Sequence, residues 1–548
     1  MKKIILSLFF ALQLLGQAEY VSIENPVYSF LQRMDNLGYL AHYNQFENPK
    51  SRGEIAHFLN QVILGGYALD KADQEVLEDL KIEFEYELFG TIKNTNSVFG
   101  SSNYDILSNN EKYLFAFSEK SKMNLFINLL AESELIIGQK SSNETNSALL
   151  LNAGGEIRGT ISNFLGFYLN GTNGIAHGNK STALAKKKLQ YNFKFNEKVD
   201  EHFFDETQAY VTADFNEVKL KLGRDRLNIG YGVQKLLLGN SSPLYDYLSL
   251  KINYDFFNFS YIHGKLLGEG KIIPDSIYGE SKSIVEKYFV YHRMGFDVAR
   301  YFKFGVSEIV IYGDRPIDLS YLIPFSFFKS IEHSNQDRDN SMLIFDFSSN
   351  LFKSTNVFST FLIDDISFGK IGTGWWGNQT AFNIGFHSSP FYPHHPLDIK
   401  FEYLHLEPYT LSHRFTKNNF THFGYNLGSN LQPNSELFFL EISYRFTNRV
   451  TLSASFAYSN HGANVINDDG TIKNVGGDIK LGRRLFDSER VKFLDGDLEI
   501  QKNIAARLTY EPINQYTLFI DAQFNYINAN KRDEQESIFL FAGANIKL

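Results

Sequence analysis

The chain has 548 residues, a formal net charge of -9 at pH 7 and no cysteine. The acidic balance gives no reason to expect nucleic acid as a partner. The lack of cysteine excludes disulfides, thiolate metal sites and a lipidated N-terminal cysteine. Aromatic residues make up 15% of the chain, with 51 Phe and 31 Tyr but 12 Pro. This composition favours strands and tight turns, and the length requires several domains or one very large sheet.

The N-terminus has the pattern of a secretory signal, which we assign to residues 1–18. Lys2 and Lys3 precede the apolar run Ile4–Leu15, and Gly16 and Ala18 supply small residues before the cleavage point. A single membrane anchor is the alternative, but the run is too short to span a bilayer. We expect cleavage after Ala18.

Residues 19–95 predict a small helical bundle at the start of the mature chain. Apolar residues between Val27 and Leu37 repeat at helical spacing. Ser51 and Glu54 form a capping-box pattern before a second helix, and Asp70 can cap a third. The bundle is interpreted first as a structural cap. The alternative is a periplasmic docking domain for export machinery.

Residues 96–548 alternate apolar and polar side chains with the period of strands. Gln208–Phe215 alternates throughout, as does Tyr516–Asn525, and the pattern continues to Leu548. Segments of about ten residues with one apolar face are typical of a transmembrane β-barrel. A soluble β-sandwich or propeller also alternates, but no repeat of propeller length is present. We therefore predict an all-β transmembrane barrel of roughly 16 to 20 antiparallel strands, even in number.

The alternation also assigns faces and ends of the predicted barrel. Charged residues on the polar face should line the lumen, namely Lys219, Lys221, Arg507 and Asp521. If the chain ends in the periplasm, 511–514 is a periplasmic turn, whereas 528–535 and the charged segment 460–492 lie outside.

Several short motifs occur in an order that resembles the Wzi-type capsule-assembly outer-membrane proteins. They are Gly154–Phe164, Leu222–Asp225, Gly230–Gly232, Leu236–Pro243, Tyr321–Pro324 with Glu332 and Asp339-Asn340, and Leu362–Asp365. One departure is Ile229, where the family pattern has an aromatic residue. The resemblance covers roughly residues 20–548.

The resemblance implies a fold and a function. The fold is an outer-membrane barrel of about 18 strands with a periplasmic helical bundle. The function is non-enzymatic: binding capsular polysaccharide or exopolysaccharide and helping to attach or assemble it at the cell surface, with outer-membrane lipid around the barrel. A porin or transporter is the alternative, and a surface hydrolase is a third hypothesis.

The candidate polysaccharide-binding residues are polar or aromatic, as sugar binding requires. They are Asp314, Arg315, Glu332, His333, Asp339, Asn340, Trp375 and Trp376. A salt-bridge network is at least as good an account of the charged residues, and an interfacial belt is favoured for the tryptophans. We expect the charged stretch within Tyr288–Asp365 to fold into or across the lumen, with Tyr321–Phe328 as its apolar anchor.

No motif of an enzyme or a resident cofactor is present in the sequence. There is no Gly-x-Ser-x-Gly elbow, no His-Glu-x-x-His and no phosphate-cradling loop. The adjacent His394 and His395 lack a third ligand at useful spacing. We therefore expect no catalytic residues, no metal and no cofactor.

Overall fold

The computed structural model describes residues 17–100, 104–119, 122–140, 144–195, 202–239, 242–277, 279–299 and 301–548. Residues 1–16, which hold most of the predicted signal sequence, lie outside this part of the chain. No helix among the described residues is both long enough and apolar enough to cross a membrane.

The described residues form a closed barrel of 18 strands, which confirms the predicted fold class. Each strand pairs antiparallel with the next along the chain. The barrel strands are β4 (Met123–Lys140), β5 (Thr145–Ile161), β6 (Leu165–Gly178), β8 (His202–Asp214), β9 (Val218–Asp225), β11 (Tyr245–Tyr254), β12 (Phe257–Asp275), β13 (Gly279–Ala299), β14 (Phe302–Gly313), β15 (Asn340–Phe352), β16 (Thr355–Asp365), β17 (Gln379–Ser388), β18 (Leu397–Leu406), β21 (Ser435–Thr447), β22 (Val450–Ala463), β25 (Asp497–Ile513), β26 (Tyr516–Ala529) and β27 (Arg532–Lys547).

The remaining strands are short or lie beside the barrel. They are β1 (Glu47–Asn48), β2 (Thr95–Phe99), β3 (Glu111–Glu119), β7 (Phe193–Phe195), β10 (Asn228–Ile229), β19 (Thr421–His422), β20 (Tyr425–Asn426), β23 (Val465–Ile466) and β24 (Ile472–Lys473).

The barrel closes on β4, whose free edge is shared by two strands. β27 pairs with residues 130–140 of β4, and β3 pairs with residues 123–127. The carbonyl of Leu548 accepts a hydrogen bond from Leu129 N at 2.6 Å, so pairing extends to the last residue. Closure pairs the last barrel strand with the first, and a sheet in lipid requires such pairing.

The two faces of the barrel differ as the alternation predicts. Apolar side chains are exposed on the outward face, among them Leu222, Leu248, Ile384, Ile504 and Ile538. The predicted lumenal residues point inward. Lys219 and Lys221 are buried there, and Arg507 reaches across to Asp521 at 3.4 Å. The outward face suits lipid and the inward face suits water or buried polar contacts.

The barrel has a short-turn end and a long-loop end. Turns of two or three residues, such as 162–164, 255–256 and 514–515, lie at the first end. The connections 314–339, 366–378, 407–434 and 464–496 lie at the second. Segment 464–496 and the tight turn 530–531 share the long-loop end, opposite 514–515, as the predicted alternation requires.

The helical bundle forms as the sequence predicts and occupies the short-turn end. Its helices are α1 (Val27–Asn36), α2 (Arg52–Gly65), α3 (Lys71–Glu83) and α4 (Glu85–Phe89). Ser51 and Glu54 form the capping box of α2, which ends at Gly66 in the left-handed conformation. Asp70 accepts a hydrogen bond from Ala72 N and caps α3. Domain boundaries at residues 95 and 96 remain a prediction.

The connection between β9 and β11, described over 226–239 and 242–244, folds into the lumen and meets the bundle. Its strand β10 pairs with β1 of the bundle segment, and we call these described residues of 226–244 the plug. Leu236, Leu237 and Leu238 of the plug are buried in a core that also contains Phe46 and inward residues of β11–β18. The plug therefore fills the side of the lumen along β11–β18.

The other half of the lumen, along β21–β27 and β4–β6, has a second apolar cluster that includes Ile136, Phe539 and Phe541, with polar side chains elsewhere on its wall. A cavity of about 700 Å³ lies there between the bundle and the wall. Glu441, Ser453, Thr509 and Lys547 are among its lining residues. The structure also has three short helices, α5 (Lys180–Ala183), α6 (Leu189–Asn192) and α7 (Phe328–Ser334), in connections at the long-loop end.

Candidate functional site

Arg315 and Asp339 form the centre of a closed hydrogen-bond network in connection 314–339. The guanidinium donates to both carboxylate oxygens of Asp339, at 2.8 and 2.7 Å. The Tyr321 hydroxyl donates to the same carboxylate at 2.8 Å, and Asp318 accepts from Arg315 at 3.3 Å. Asp339 is fully buried. Paired in this way, Arg315, Asp318, Tyr321 and Asp339 hold the connection in shape, which is the salt-bridge alternative raised from the sequence.

Glu332 and His333 lie on the short helix α7 and have different surroundings. Glu332 is buried, where it accepts hydrogen bonds from Ser341 and from Lys329, the latter at 2.6 Å. His333 is exposed, with Nε2 at 3.7 Å from Asp337. Glu332, His333 and Asp337 could together approach a metal ion. Lys329 already neutralises the charge of Glu332. We therefore assign Glu332, His333 and Asp337 a structural role.

Asp314 and Asn340 stand at the two ends of the same connection and link it to connection 407–434. Lys417 donates to the Asp314 carboxylate at 2.6 Å. The buried Asn340 amide donates to the Asn418 carbonyl at 3.0 Å. The sequence-predicted residues of this stretch therefore bind one another and neighbouring loops.

Connection 314–339 lies on the outward face of the barrel, which corrects the prediction that it enters the lumen. Tyr321 and Phe328 do anchor it, but they pack against Val290 and Val310 of the outward wall. Alternation fixes these faces: Tyr291, one residue from Val290, bonds to Glu47 of the bundle segment inside the lumen. The sequence could not assign the side because β13 and β14 are apolar on both faces here.

Trp375 and Trp376 lie in connection 366–378, where it meets connection 464–496. Trp376 N donates to the Glu489 carbonyl at 3.1 Å, and Val491 N donates to the Gly374 carbonyl at 2.8 Å. Both rings are half-buried between connections instead of standing on the outward face of a strand. The interfacial-belt interpretation therefore does not describe them.

A third connection, 407–434, completes this assembly, which we call the loop cap (366–378, 407–434 and 464–496). The backbone N–H of Tyr409 donates to the Gly476 carbonyl at 2.9 Å, and its hydroxyl donates to the Asn474 carbonyl at 3.1 Å. Its ring meets Trp376 edge-on, with centroids 6.0 Å apart. Burial raises the pKa of Tyr409, so its hydroxyl stays protonated and donating at neutral pH.

Cations lie over the two tryptophan rings of the loop cap. Lys370 Nζ is 4.1 Å from the Trp375 ring, and the Arg483 guanidinium is 4.9 Å from the Trp376 ring. Arg490 and Lys492 are exposed on the same connection as Arg483. Cation–π contacts of this kind hold the charges at the surface without neutralising them.

Two titratable groups of the loop cap, Asp487 and His413, affect its net charge. Burial acts against ionisation of Asp487, but hydrogen bonds from Arg484 lower its pKa below the ordinary value. The pair Arg484–Asp487, at 2.8 Å, is therefore internally neutral. Burial lowers the pKa of His413 to about 4, so its imidazole adds no charge at neutral pH. Lys370, Arg490 and Lys492 are the exposed cations near the tryptophans in the described part of the cap, and Glu489 beside them is exposed as well.

Apolar side chains complete the surface of the loop cap. Phe368, Ile371, Leu485 and Phe486 are exposed there. Flat apolar faces beside planar and cationic donors can hold a sugar ring and its carboxylate substituents. No nucleophile–base pair accompanies them in the described part of the cap.

Comparison with known proteins identifies the family. The family model Capsule assembly protein Wzi matches residues 145–522, well over half of the chain.

The chain belongs to the Wzi capsule assembly family.

The fold of this Wzi-family chain is similar to a solved structure from Escherichia coli. That protein is described as Wzi, an outer-membrane protein involved in group 1 capsule assembly and a carbohydrate-binding β-barrel. The two chains are 12% identical, with a TM-score of 0.56 over 96% of this chain and 99% of that one. Pseudomonas aeruginosa OpdK with vanillate has 7% identity and a TM-score of 0.43, covering 77% of this chain and 99% of that one. A search of curated proteins found no match.

The family motif Gly230–Gly232 lies in the plug of this Wzi-family chain. Glu402 of β18 accepts hydrogen bonds from Val233 N and Gln234 N, at 2.5 and 3.0 Å. Gly232 has φ +81°, and a Cβ there would lie 2.5 Å from the Glu402 carboxylate. Glycine is therefore required for the plug backbone to reach the wall.

Ile229, the one departure from the family pattern, is fully buried in the same region. It pairs with Glu47 of β1 and exchanges backbone hydrogen bonds with Leu238 at 2.7 and 3.1 Å. An aliphatic side chain thus fills the plug core at this position.

Sequence reasoning missed Lys370, Tyr409, Arg483 and Glu402. Arg483 lay in a segment already assigned to the outside, and its charge was a usable signal. Tyr409 and Glu402 carried none, because their roles depend on contacts with distant residues, such as Gly476, which is 67 positions from Tyr409, and Val233, which is 169 positions from Glu402.

Proposed function

We propose that this chain is a non-enzymatic outer-membrane protein that binds exported capsular polysaccharide or exopolysaccharide and helps to attach it at the cell surface. Family membership supports a role in capsule assembly. The observation that carries the binding function is the loop cap, where two tryptophans, exposed apolar side chains and exposed cations share one surface. The solved relative from Escherichia coli, described as carbohydrate-binding, supports the same ligand class.

In this proposal the long-loop end faces the cell exterior and the helical bundle faces the periplasm. Outer-membrane barrels have short periplasmic turns and longer external loops. The loop cap then meets exported polysaccharide directly. Ion pairs from Arg33 to Asp398 and from Asp73 to Arg445 fix the bundle to the barrel, which supports a structural-cap role. We place any contact with periplasmic export machinery on the bundle, whose Leu64 is exposed.

The cations beside the tryptophans of the loop cap favour a polysaccharide that carries carboxylates. Lys370, Arg490 and Lys492 are exposed, and Arg483 stands over Trp376. Guanidinium groups pair with carboxylates in two-point geometry, while tryptophan faces hold the apolar side of a sugar ring. A uronic-acid-containing chain offers both features.

The plug, which fills one side of the lumen, argues against the porin alternative. Plug residues Leu236–Leu238 are buried against inward residues of β11–β18, and the bundle covers the short-turn end. An open pore of this width needs a lumen free of such a core. Binding at the outer surface needs no passage through the barrel.

The direct test is binding of the host's own cell-surface polysaccharide to the purified protein in detergent. The polysaccharide is used in its native form and after chemical reduction of its carboxylates. We expect the native form to bind, and Trp376→Ala together with Arg490→Gln to weaken binding at least tenfold. Lys71→Gln, an exposed charge removed at the opposite end, is the matched control.

The outcomes separate the parts of the proposal. Equal binding before and after carboxylate reduction would disprove the acidic ligand class and leave polysaccharide binding standing. No binding of either form, together with unchanged cell-attached polysaccharide in a deletion strain, would overturn the function itself.

A further inference from the structure

Residues Ile317–Phe328 of connection 314–339 lie against the outward wall of the barrel, and we call them the wall segment. Tyr321 and Phe328 are fully buried there, among outward side chains of β12, β13 and β14. Elsewhere the same face of the barrel is exposed and apolar, as Phe304 and Ile384 show. The wall segment thus occupies a surface that otherwise faces lipid.

The wall beneath this segment carries buried polar side chains. His292 and Glu308 point outward, with imidazole Nε2 and carboxylate oxygen 2.9 Å apart. His263 points the same way and lies 2.7 Å from the Tyr312 hydroxyl. All four side chains are buried. Such groups are costly in hydrocarbon, and the wall segment separates them from it.

The same polar groups satisfy the backbone of the wall segment. His292 Nδ1 lies 2.9 Å from the Pro324 carbonyl, and the Tyr261 hydroxyl donates to the Tyr321 carbonyl at 2.9 Å. Glu308 accepts from Phe328 N at 2.8 Å. Irregular backbone can lie at membrane depth only when its polar groups are paired with protein. The wall segment has this pairing at the positions where it meets the wall.

The side of the wall segment that faces away from the barrel is apolar. Leu319 is 76% exposed, Phe325 66% and Phe327 70%. Residues 319–328 contain no charged side chain. An exposed surface of this kind on a loop in water would favour aggregation, whereas lipid accommodates it.

The wall segment also reaches far down the barrel. The Phe325 ring stacks on Phe259, with centroids 4.6 Å apart. Phe259 is the third residue of β12, next to the short turn 255–256. The segment therefore crosses the height of the apolar band from the long-loop end to near the short-turn end.

We propose that the wall segment is immersed in the lipid bilayer, with lipid acyl chains as the partner of its exposed apolar face. The exposed apolar face of the wall segment is continuous with the exposed apolar band of the barrel. We therefore assign acyl chains as its partner. The connection thereby anchors the charged network around Arg315 and Asp339 at the membrane surface.

The test uses single cysteines, because the chain has none of its own. Phe325→Cys, and separately Phe327→Cys, is labelled with a small fluorophore and the protein is reconstituted in phosphatidylcholine vesicles. Quenching by nitroxide-labelled acyl chains and by aqueous iodide is then measured. Ile384→Cys on the outward wall is the lipid reference, and Asp469→Cys in the loop cap is the aqueous reference.

We expect the label at 325 or 327 to be quenched by nitroxide lipid within twofold of the Ile384 reference, and by iodide at least fivefold less than the Asp469 reference. Iodide quenching equal to the Asp469 reference would overturn the proposal. Protection from both quenchers, with cross-linked dimers through the same cysteine, would identify a second copy of the chain as the partner and also overturn it.

Discussion

The guanidinium of Arg33 on α1 donates to both carboxylate oxygens of Asp398 on β18, 365 positions later, with Nε at 3.0 and 3.1 Å from them. The same guanidinium binds Asp73 of α3 at 2.5 Å, and Asp73 also binds Arg445 of β21 at 2.8 Å. Four charges, three of them buried, thus join two helices to two barrel strands. Burial opposes ionisation of Arg33, but the two carboxylates raise its pKa above the ordinary value, so it stays charged.

Replacing Arg33 with Met should loosen the bundle from the barrel. The change removes the guanidinium charge that faces the carboxylates of the buried Asp73 and the partly buried Asp398. Breaking a buried ion pair in this way costs roughly 3–5 kcal/mol. Denaturation of the purified protein, followed by the loss of helical circular dichroism, measures this cost. Lys71→Met removes a charge from an exposed pair on the same bundle and should change stability by under about 1 kcal/mol. Equal stability of the two variants would contradict the assigned role of Arg33.

The bundle should lose stability in acid because of Glu54. Burial alone would raise the pKa of Glu54, but Lys219 and Lys50 beside it lower the pKa to about 2, from an ordinary 4.5. Between these values the unfolded state binds more protons, so the contribution of Glu54 is complete above pH 4.5 and is lost as the pH falls towards 2.

The measurement is the same denaturation experiment at pH 6, 4 and 3. Wild type should lose stability across this range more steeply than Glu54→Gln, which cannot titrate. Glu78→Gln, on an exposed side chain of α3, should follow the wild type. Parallel curves for wild type and Glu54→Gln would show that Glu54 does not carry the effect.

Removal of the plug should open the barrel to ions. We expect low conductance for the wild type in planar bilayers and stable open currents when Tyr231–Leu238 is replaced by a short Gly/Ser linker. The physical reason is the loss of the buried leucines that fill the lumen between β11 and β18. The same replacement at Asn467–Thr471, an exposed tip of the loop cap, should leave conductance unchanged. A plug variant as silent as the wild type would place the barrier elsewhere.

Asp339→Asn should separate structure from ligand binding. The substitution keeps the shape but removes the charge that binds Arg315, at a cost of about 1–3 kcal/mol for a buried charge-assisted bond. Connection 314–339 should then be cut faster by protease, while polysaccharide binding stays within twofold of wild type. Asp469→Asn is the exposed control. A large loss of binding without faster cleavage would instead place Asp339 in the ligand site.

The sequence predicted the elements well because they depend on local rules. Strand alternation assigned Lys219, Lys221, Arg507 and Asp521 to the lumen, and the structure confirms this. The capping residues Ser51, Glu54 and Asp70 correctly predicted where two helices begin, because capping is a contact between residues a few positions apart.

The candidate site was predicted less well because it depends on distant contacts. The charged residues near Asp339 were correctly suspected of binding one another, yet the side of the barrel on which they lie was wrong. Trp375 and Trp376 were singled out by composition, but their neighbours Tyr409 and Arg483 were not, since three separate connections bring them together.

The sequence by itself determined a closed barrel with an apolar outer face and a helical bundle, because alternation and capping are properties of short segments. Only the tertiary structure decided that connection 226–244 fills the lumen and that connection 314–339 lies on the outer wall. Both loops contain apolar anchors, and on β13 and β14 both faces of the wall could accept one. The difference arises from partners that no local pattern encodes: Glu402 receives the plug backbone inside, whereas His292 and Glu308 receive the wall segment outside.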